Sequence, residues 1–241
     1  MEGDIEPKYP QKAIIFIHGA GENSNLWKFQ IESISKYFKT IAVDLPGHAN
    51  SDGFNKISMD LFLRTIDMLI KYINSEKIVL CGHSMGGAIS MKYYLEYDKI
   101  DALILIGTGA KLKVSPMIFE TLTTNFESAL QYLDSIAIYI RSKEIKDFLH
   151  KEAIKTRQEI YINDFHICNN FNIMDQLDQL TIPTLIICGE KDVLTPVKYS
   201  KYLNEKIKNS ICHIIPKSGH DVHIEKPEVV NKLIKEFMES I

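Results

Sequence analysis

The 241-residue sequence contains no long hydrophobic run. Its longest are about five residues, such as Ala102 to Ile106, against the roughly 18 that a membrane-spanning helix needs. It also has no block of like charge. Lys and Arg total 28 and Asp and Glu 31, a net charge of -3, so neither a nucleic-acid track nor a charged interaction tail is expected. None of the 4 cysteines forms a C-x-x-C pair, which argues against zinc and redox sites. Cys81, Cys188 and Cys212 fall within or at the end of strand-like apolar runs and are read as buried thiols acting as small hydrophobes. The start, Met1-Glu2-Gly3-Asp4, is acidic and no apolar stretch follows, unlike a signal peptide. A cytoplasmic protein is expected.

What is present is an average globular composition, 45% hydrophobic and 24% charged, enough for one large domain or one domain carrying an insertion. Short β-branched runs alternate with longer amphipathic stretches. Strands are predicted at Lys12 to Ile17, Thr40 to Val43, Ile78 to Cys81, Ala102 to Ile106, Thr184 to Cys188 and Ile211 to Ile215. Each is almost continuously apolar, as in a parallel sheet covered on both faces. Helices are predicted at Leu26 to Phe38, Met59 to Ile73, Met85 to Tyr97 and Val197 to Lys208. A last one follows Pro227, with Val229, Val230, Leu233, Ile234, Phe237 and Met238 at helical spacing. This order predicts an α/β fold with a doubly wound, mostly parallel sheet.

From about Ala110 to Asp178 the alternation stops, and the segment shows only helical patterns. The expected organisation is a core of residues 1–109 and 179–241, with a helical cap over 110–178 inserted between two strands. Met117, Phe119, Phe126, Phe148 and Phe171 supply bulky apolar side chains, some of which are expected to face a ligand.

Ligands of such a sheet bind beyond the carboxyl ends of the strands. There the third strand runs into Gly82-His83-Ser84-Met85-Gly86-Gly87 and then a helix. This G-x-S-x-G pattern needs glycine on both sides of the serine, because side chains would collide across so sharp a turn. It places the hydroxyl at a helix N-terminus, where the dipole favours developing negative charge. A serine nucleophile needs a base, and the base an orienting carboxylate. Asp192 follows the fifth strand and His220 the sixth, each just past its end. The first strand ends in His18-Gly19-Ala20-Gly21, and the amides of Ala20 and Met85 are the candidate donors to an oxyanion. His18 is expected to hold its loop, and Asp44 to anchor the loop after the second strand. Gly107-Thr108-Gly109 offers no carboxylate after the fourth strand. Asp221, directly after His220, is expected to point elsewhere.

The chain resembles α/β-hydrolase-fold proteins, close to the small serine esterases and lipases. The resemblance rests on His18-Gly19, Trp27, Asp44-Leu45-Pro46-Gly47-His48, the Ser84 turn, Gly189-Glu190-Lys191-Asp192, and Gly219-His220 followed by Glu225-Lys226-Pro227. It implies Ser84 as nucleophile, His220 as base, Asp192 as its acid, and the Ala20 and Met85 amides as the oxyanion hole. It implies a small-molecule ester substrate and neither cofactor nor metal. Two departures stand out. Ala49 replaces a glycine that usually continues the Gly47-His48 loop, and only about eleven residues precede the first strong strand, leaving room for at most a stub of the family's N-terminal hairpin. The same triad also serves C–C bond hydrolases and acyltransferases, and the fold also serves non-catalytic ligand receptors.

Overall fold

The computed structural model describes residues 7–52 and 57–241. Met1 to Asp4 lie outside them. Six strands form one sheet: β1 (Tyr9–Ile17), β2 (Phe38–Val43), β3 (Lys77–His83), β4 (Ala102–Ile106), β5 (Thr184–Gly189) and β6 (Ser210–Ile215). Their order is β2-β1-β3-β4-β5-β6, and every pair is parallel. The chain winds outward from β1 to β2, then crosses back so that β3 lies on the other side of β1. That reversal opens a crevice at the carboxyl ends of β1 and β3, which pair as far as Ile17 opposite Gly82.

The helices around the sheet are α1 (Lys28–Ile34), α2 (Met59–Lys71), α3 (Met85–Tyr97), α8 (Val197–Lys206), the short α9 (Val222–Glu225) and α10 (Pro227–Ser240). Alternate strand residues enter different cores. Ile15, Ile17, Leu80, Leu103, Leu105 and Ile186 pack with residues of α2, α3 and α8. Ile14, Phe16, Val79, Cys81, Ile104 and Ile187 pack with residues of α1 and α10. With both faces covered, the strands have no polar side to alternate with, which is why they are continuous in sequence. Each fully buried Ile or Leu contributes roughly 1.5–3 kcal/mol relative to an exposed one.

Local chemistry sets the helix ends. Ser58 Oγ accepts the Leu61 N–H at 3.2 Å to start α2, and Asp60 and Lys71 sit at its favourable ends. The helix predicted from Leu26 to Phe38 divides. Asn23 caps a 3₁₀ turn at Ser24–Trp27, α1 ends at Ile34, and Phe38 begins β2 opposite Tyr9. In α10, Val230, Ile234, Phe237 and Met238 are buried, whereas Val229 faces out, one position off the apolar stripe.

Residues 110–178 add no strand to the sheet. They form α4 (Pro116–Thr124), α5 (Phe126–Ala137), α6 (Lys143–Ala153), α7 (Gln158–Asn170) and a 3₁₀ turn at Met174–Gln179. The segment leaves and returns at one place, where Lys111 and Asn172 form an antiparallel bridge and the Ile173 N–H donates to the Ala110 carbonyl at 2.8 Å. Ile118, Leu122, Ala129, Leu130 and Tyr161 give these helices a small core of their own. No helix among the described residues is long and apolar enough to cross a membrane. All four cysteines are free, and burial raises the pKa of each thiol.

Candidate active site

The turn from β3 into α3 is tightly constrained. A Cβ on Gly82 would lie 2.2 Å from the Gly86 carbonyl, and one on Gly86 would lie 2.1 Å from the Ile17 carbonyl oxygen. Only glycine lets the turn close and α3 press against β1. Ser84 takes the strain, with φ 50° and ψ -112°. Its N–H donates to the Ile106 carbonyl at 2.9 Å, and Thr108 Oγ1 donates to the Ser84 carbonyl at 2.8 Å. Every residue from Cys81 to Ser90 is buried except Ser84, which opens onto a cavity of about 130 Å³.

His220 lines the same cavity. A Cβ on Gly189 would lie 2.0 Å from the Gly219 carbonyl oxygen, so the loops after β5 and β6 touch backbone to backbone. This contact brings His220 Nδ1 to 2.9 Å from Asp192 Oδ2. Asp192 Oδ1 accepts the N–H groups of Leu194 at 2.9 Å and Thr195 at 2.8 Å, and Oδ2 accepts Thr195 Oγ1–H at 2.7 Å. Burial opposes a charge on Asp192, but His220 and these donors outweigh it and hold the carboxyl below its usual range. Burial likewise opposes a charge on His220, and Asp192 outweighs it, so the imidazole pKa lies above 6.5. Thr195 Oγ1 also lies 3.2 Å from His220 Nδ1. Among the described residues, Ser84 Oγ makes no hydrogen bond to His220. Such contacts commonly tighten only when substrate binds.

The Ala20 and Met85 amides donate to no group among the described residues, and Ala20 borders the cavity. The turn bearing Ala20 is held from both sides. The Gly19 N–H donates to Glu22 Oε2 at 2.6 Å, and the Gly21 N–H to Asp164 Oδ2 at 2.8 Å. Asp164 lies on α7, and the same oxygen receives His48 Nε2–H at 2.7 Å. His48 Nδ1 faces the carbonyls of Pro46 at 3.2 Å and Leu45 at 3.3 Å. With acceptors at both nitrogens the ring is an imidazolium. Burial opposes this charge, but Asp164 raises the pKa of His48. His18 is the opposite case. Its Nε2 accepts the Leu45 N–H at 3.1 Å, and burial together with the His48 charge lowers its pKa to about 3, so it stays neutral and structural.

Asp44 anchors as expected, accepting the Ser24 N–H at 2.8 Å and the Asn50 N–H at 3.4 Å. Ala49 adopts a positive φ of 39°, in the left-handed region that favours glycine. Asp221 does not point away. It borders the cavity and lies 3.7 Å from His83 Nε2, while Glu22 lies 3.1 Å from Nδ1. Glu22, His83 and Asp221 are close enough to be considered for a metal ion. The two carboxylates, however, face opposite nitrogens of one imidazole, whose Nδ1 is hydrogen-bonded to Glu22 and whose Nε2 lies 3.3 Å from the His220 carbonyl, an arrangement unlike a chelate. Burial, then the Glu22 charge, pushes Asp221 up. Glu225 accepts the N–H groups of Gly219, Tyr139 and Ile140 at 2.5–2.8 Å, tying the His220 loop to the end of α5.

The apolar wall differs from expectation. Leu133, Leu149, Tyr161 and Phe165 line the cavity, whereas none of Met117, Phe119, Phe126, Phe148 and Phe171 does. Met117 is exposed, Phe119 stacks on His166, Phe126 meets Tyr161 edge-on, Phe148 packs near Phe29, and Phe171 joins the main core. Helical spacing marks apolar faces but not what each face meets. Thr195 escaped sequence reading, although its place three residues after Asp192 and before Pro196 suits a side chain–backbone turn.

Known proteins share the fold and the sequence over nearly the whole chain. An esterase from Exiguobacterium antarcticum superposes with a TM-score of 0.90 over 96% of this chain and 93% of that one, at 20% identity, a likeness of fold. A thermophilic esterase is 33% identical, with a TM-score of 0.85 over 94% of this chain and 89% of that one. The pimeloyl-[acyl-carrier protein] methyl ester esterase of Wigglesworthia glossinidia brevipalpis is 28% identical over 93% of each chain. Residues 8–227 match the family described as serine aminopeptidase, S33. The chain therefore belongs to that hydrolase family, within the α/β-hydrolase superfamily.

Proposed function

We propose that the protein is a serine hydrolase that cleaves carboxylic esters through an acyl-enzyme. The observation that carries this reading is the joint opening of Ser84 and the Asp192-paired His220 onto one cavity, with the unused Ala20 amide at its border. Ser84 Oγ attacks the ester carbonyl as His220 takes its proton. Asp192 holds Nδ1–H and stabilises the imidazolium. The Ala20 and Met85 amides receive the oxyanion, and His220 returns the proton to the leaving alcohol. Water, activated by His220, then releases the acid. Residues 110–178 act as a cap on a core of residues 1–109 and 179–241. The ester-cleaving names of the relatives support the substrate class.

A panel of p-nitrophenyl esters from acetate to decanoate tests this. With Leu133, Leu149 and Phe165 on the wall, kcat/KM should rise by up to about fourfold per methylene until the cavity is full. Phe165→Ala should shift the preferred length upward. Equal kcat/KM for acetate and hexanoate would remove the acyl-site assignment. Turnover of a vinylogous 1,5-diketone without ester cleavage would favour C–C hydrolysis, dependence on an alcohol or thiol acceptor would favour transfer, and binding without turnover would favour a receptor.

His220 must be neutral to act as base, and its pKa is raised above 6.5. Activity should therefore fall on the acid side through a transition above pH 6.5, not below it. A pH–kcat/KM profile with a neutral ester checks this, and an acid limb near pH ~4 with the protein still folded would exclude His220.

A further inference from the structure

A second, more open groove of about 420 Å³ lies beside the Ser84 cavity, lined by Ala110, Lys111, Lys113, Met174, Lys198, Tyr199 and Tyr202. The two share Lys113 and Tyr199 as a common wall. Their charges are opposite in character. The Ser84 cavity is bordered by Glu22, Asp134, Glu152 and Asp221, whereas no carboxylate among the described residues lines the groove. Lys111, Lys113 and Lys198 form no salt bridge among the described residues, although the chain as a whole is acidic.

The fold places these residues directly. Thr108, which holds the Ser84 carbonyl, is followed by Gly109, Ala110 and Lys111, so a short stretch of chain connects the residue beside the nucleophile turn to the groove. A Cβ on Gly109 would lie 2.7 Å from Tyr199 Cδ2, so the Tyr199 ring lies against this stretch. The Lys111–Asn172 bridge fixes the rim beside Met174. Lys198 comes from the first turn of α8. Three ammonium groups over a floor of Ala110, Met174 and two tyrosines suit an anion attached to an apolar chain.

We propose that this groove binds the anionic end, a carboxylate or a phosphate, of a substrate whose apolar part occupies the Ser84 cavity. The proposal rests on the ester-hydrolase reading for the neighbouring cavity, but the groove can be tested without turnover. The test measures inhibition of p-nitrophenyl butyrate hydrolysis by octyl phosphate, octanoate and octan-1-ol, in the wild type and in Lys111→Gln/Lys198→Gln. At low salt the anionic probes should inhibit about tenfold more strongly than the alcohol, and the advantage should shrink in ~0.5 M salt. The double variant should lose that advantage while keeping its inhibition by octan-1-ol and its kcat/KM for the neutral ester. An advantage for octyl phosphate alone identifies a phosphate, and one for octanoate alone a carboxylate. Equal inhibition by all three in the wild type, or an equal shift of all three in the variant, would overturn the proposal. If the neutral ester is not hydrolysed, the ester reading fails. Calorimetric titration of the same probes into both proteins then decides the groove by itself, with charge-dependent binding in the wild type only supporting it and charge-independent or absent binding overturning it.

Discussion

Replacing Ser84 with alanine should lower kcat by roughly four to six orders of magnitude, with KM and the melting temperature nearly unchanged. The side chain makes no hydrogen bond among the described residues, and both faces of the sheet pack without it. Its backbone is held at φ 50° by the strand before it, the helix after it and the Ile106 carbonyl, none of which needs the hydroxyl. What remains in the variant is binding and two free amides, enough for a residual rate but not for an acyl-enzyme. Activity within tenfold of the wild type, measured on the preferred ester with protein free of wild-type contamination, would exclude Ser84 as nucleophile.

Asp164→Ala should destabilise the protein by about 3–5 kcal/mol, because it leaves the His48 imidazolium buried without its partner. Both side chains are fully buried and 2.7 Å apart. For a chain of this size the loss corresponds to a drop in Tm of roughly 6–20 °C. The effect depends on pH with a definite sign. The folded-state pKa of His48 is raised, so its contribution is fully present below pH 6.5 and is lost as pH rises through the higher folded value. The gap between wild type and variant should therefore narrow in alkali, which denaturant titrations at several pH values would show. A pH-independent gap, or one below ~1 kcal/mol, would mean that the pair is not charged. The pair also joins α7 to the Gly21 amide, next to the proposed oxyanion donor, so the variant should lose kcat more than it raises KM.

The strands were legible because burial on both faces leaves uninterrupted apolar runs, and all six predicted runs lie within observed strands. The β3–Ser84–α3 turn was legible because its geometry admits little besides glycine at positions 82 and 86. Asp192 and His220 could be picked out because the winding of the sheet delivers successive strand ends to one edge. Long-range pairing was not legible. His48 and Asp164 are separated by 116 residues, and Glu22 and His83 by 61, and nothing local to either partner marks the other. The cavity wall was hidden for a related reason. Phe126 and Phe165 have the same apolar character on neighbouring helices, but only the packing of α4 to α7 turns Phe165 inward.

The central claim, that Ser84 is the nucleophile of a hydrolytic site, is tested most directly by mass spectrometry of the protein after treatment with a fluorophosphonate. The account predicts one covalent phosphonyl group per chain, located by peptide mapping on Ser84, formed more slowly as pH falls through the raised pKa of His220, and absent from Ser84→Ala. An unlabelled wild type, or a label at another residue that persists in Ser84→Ala, would contradict it.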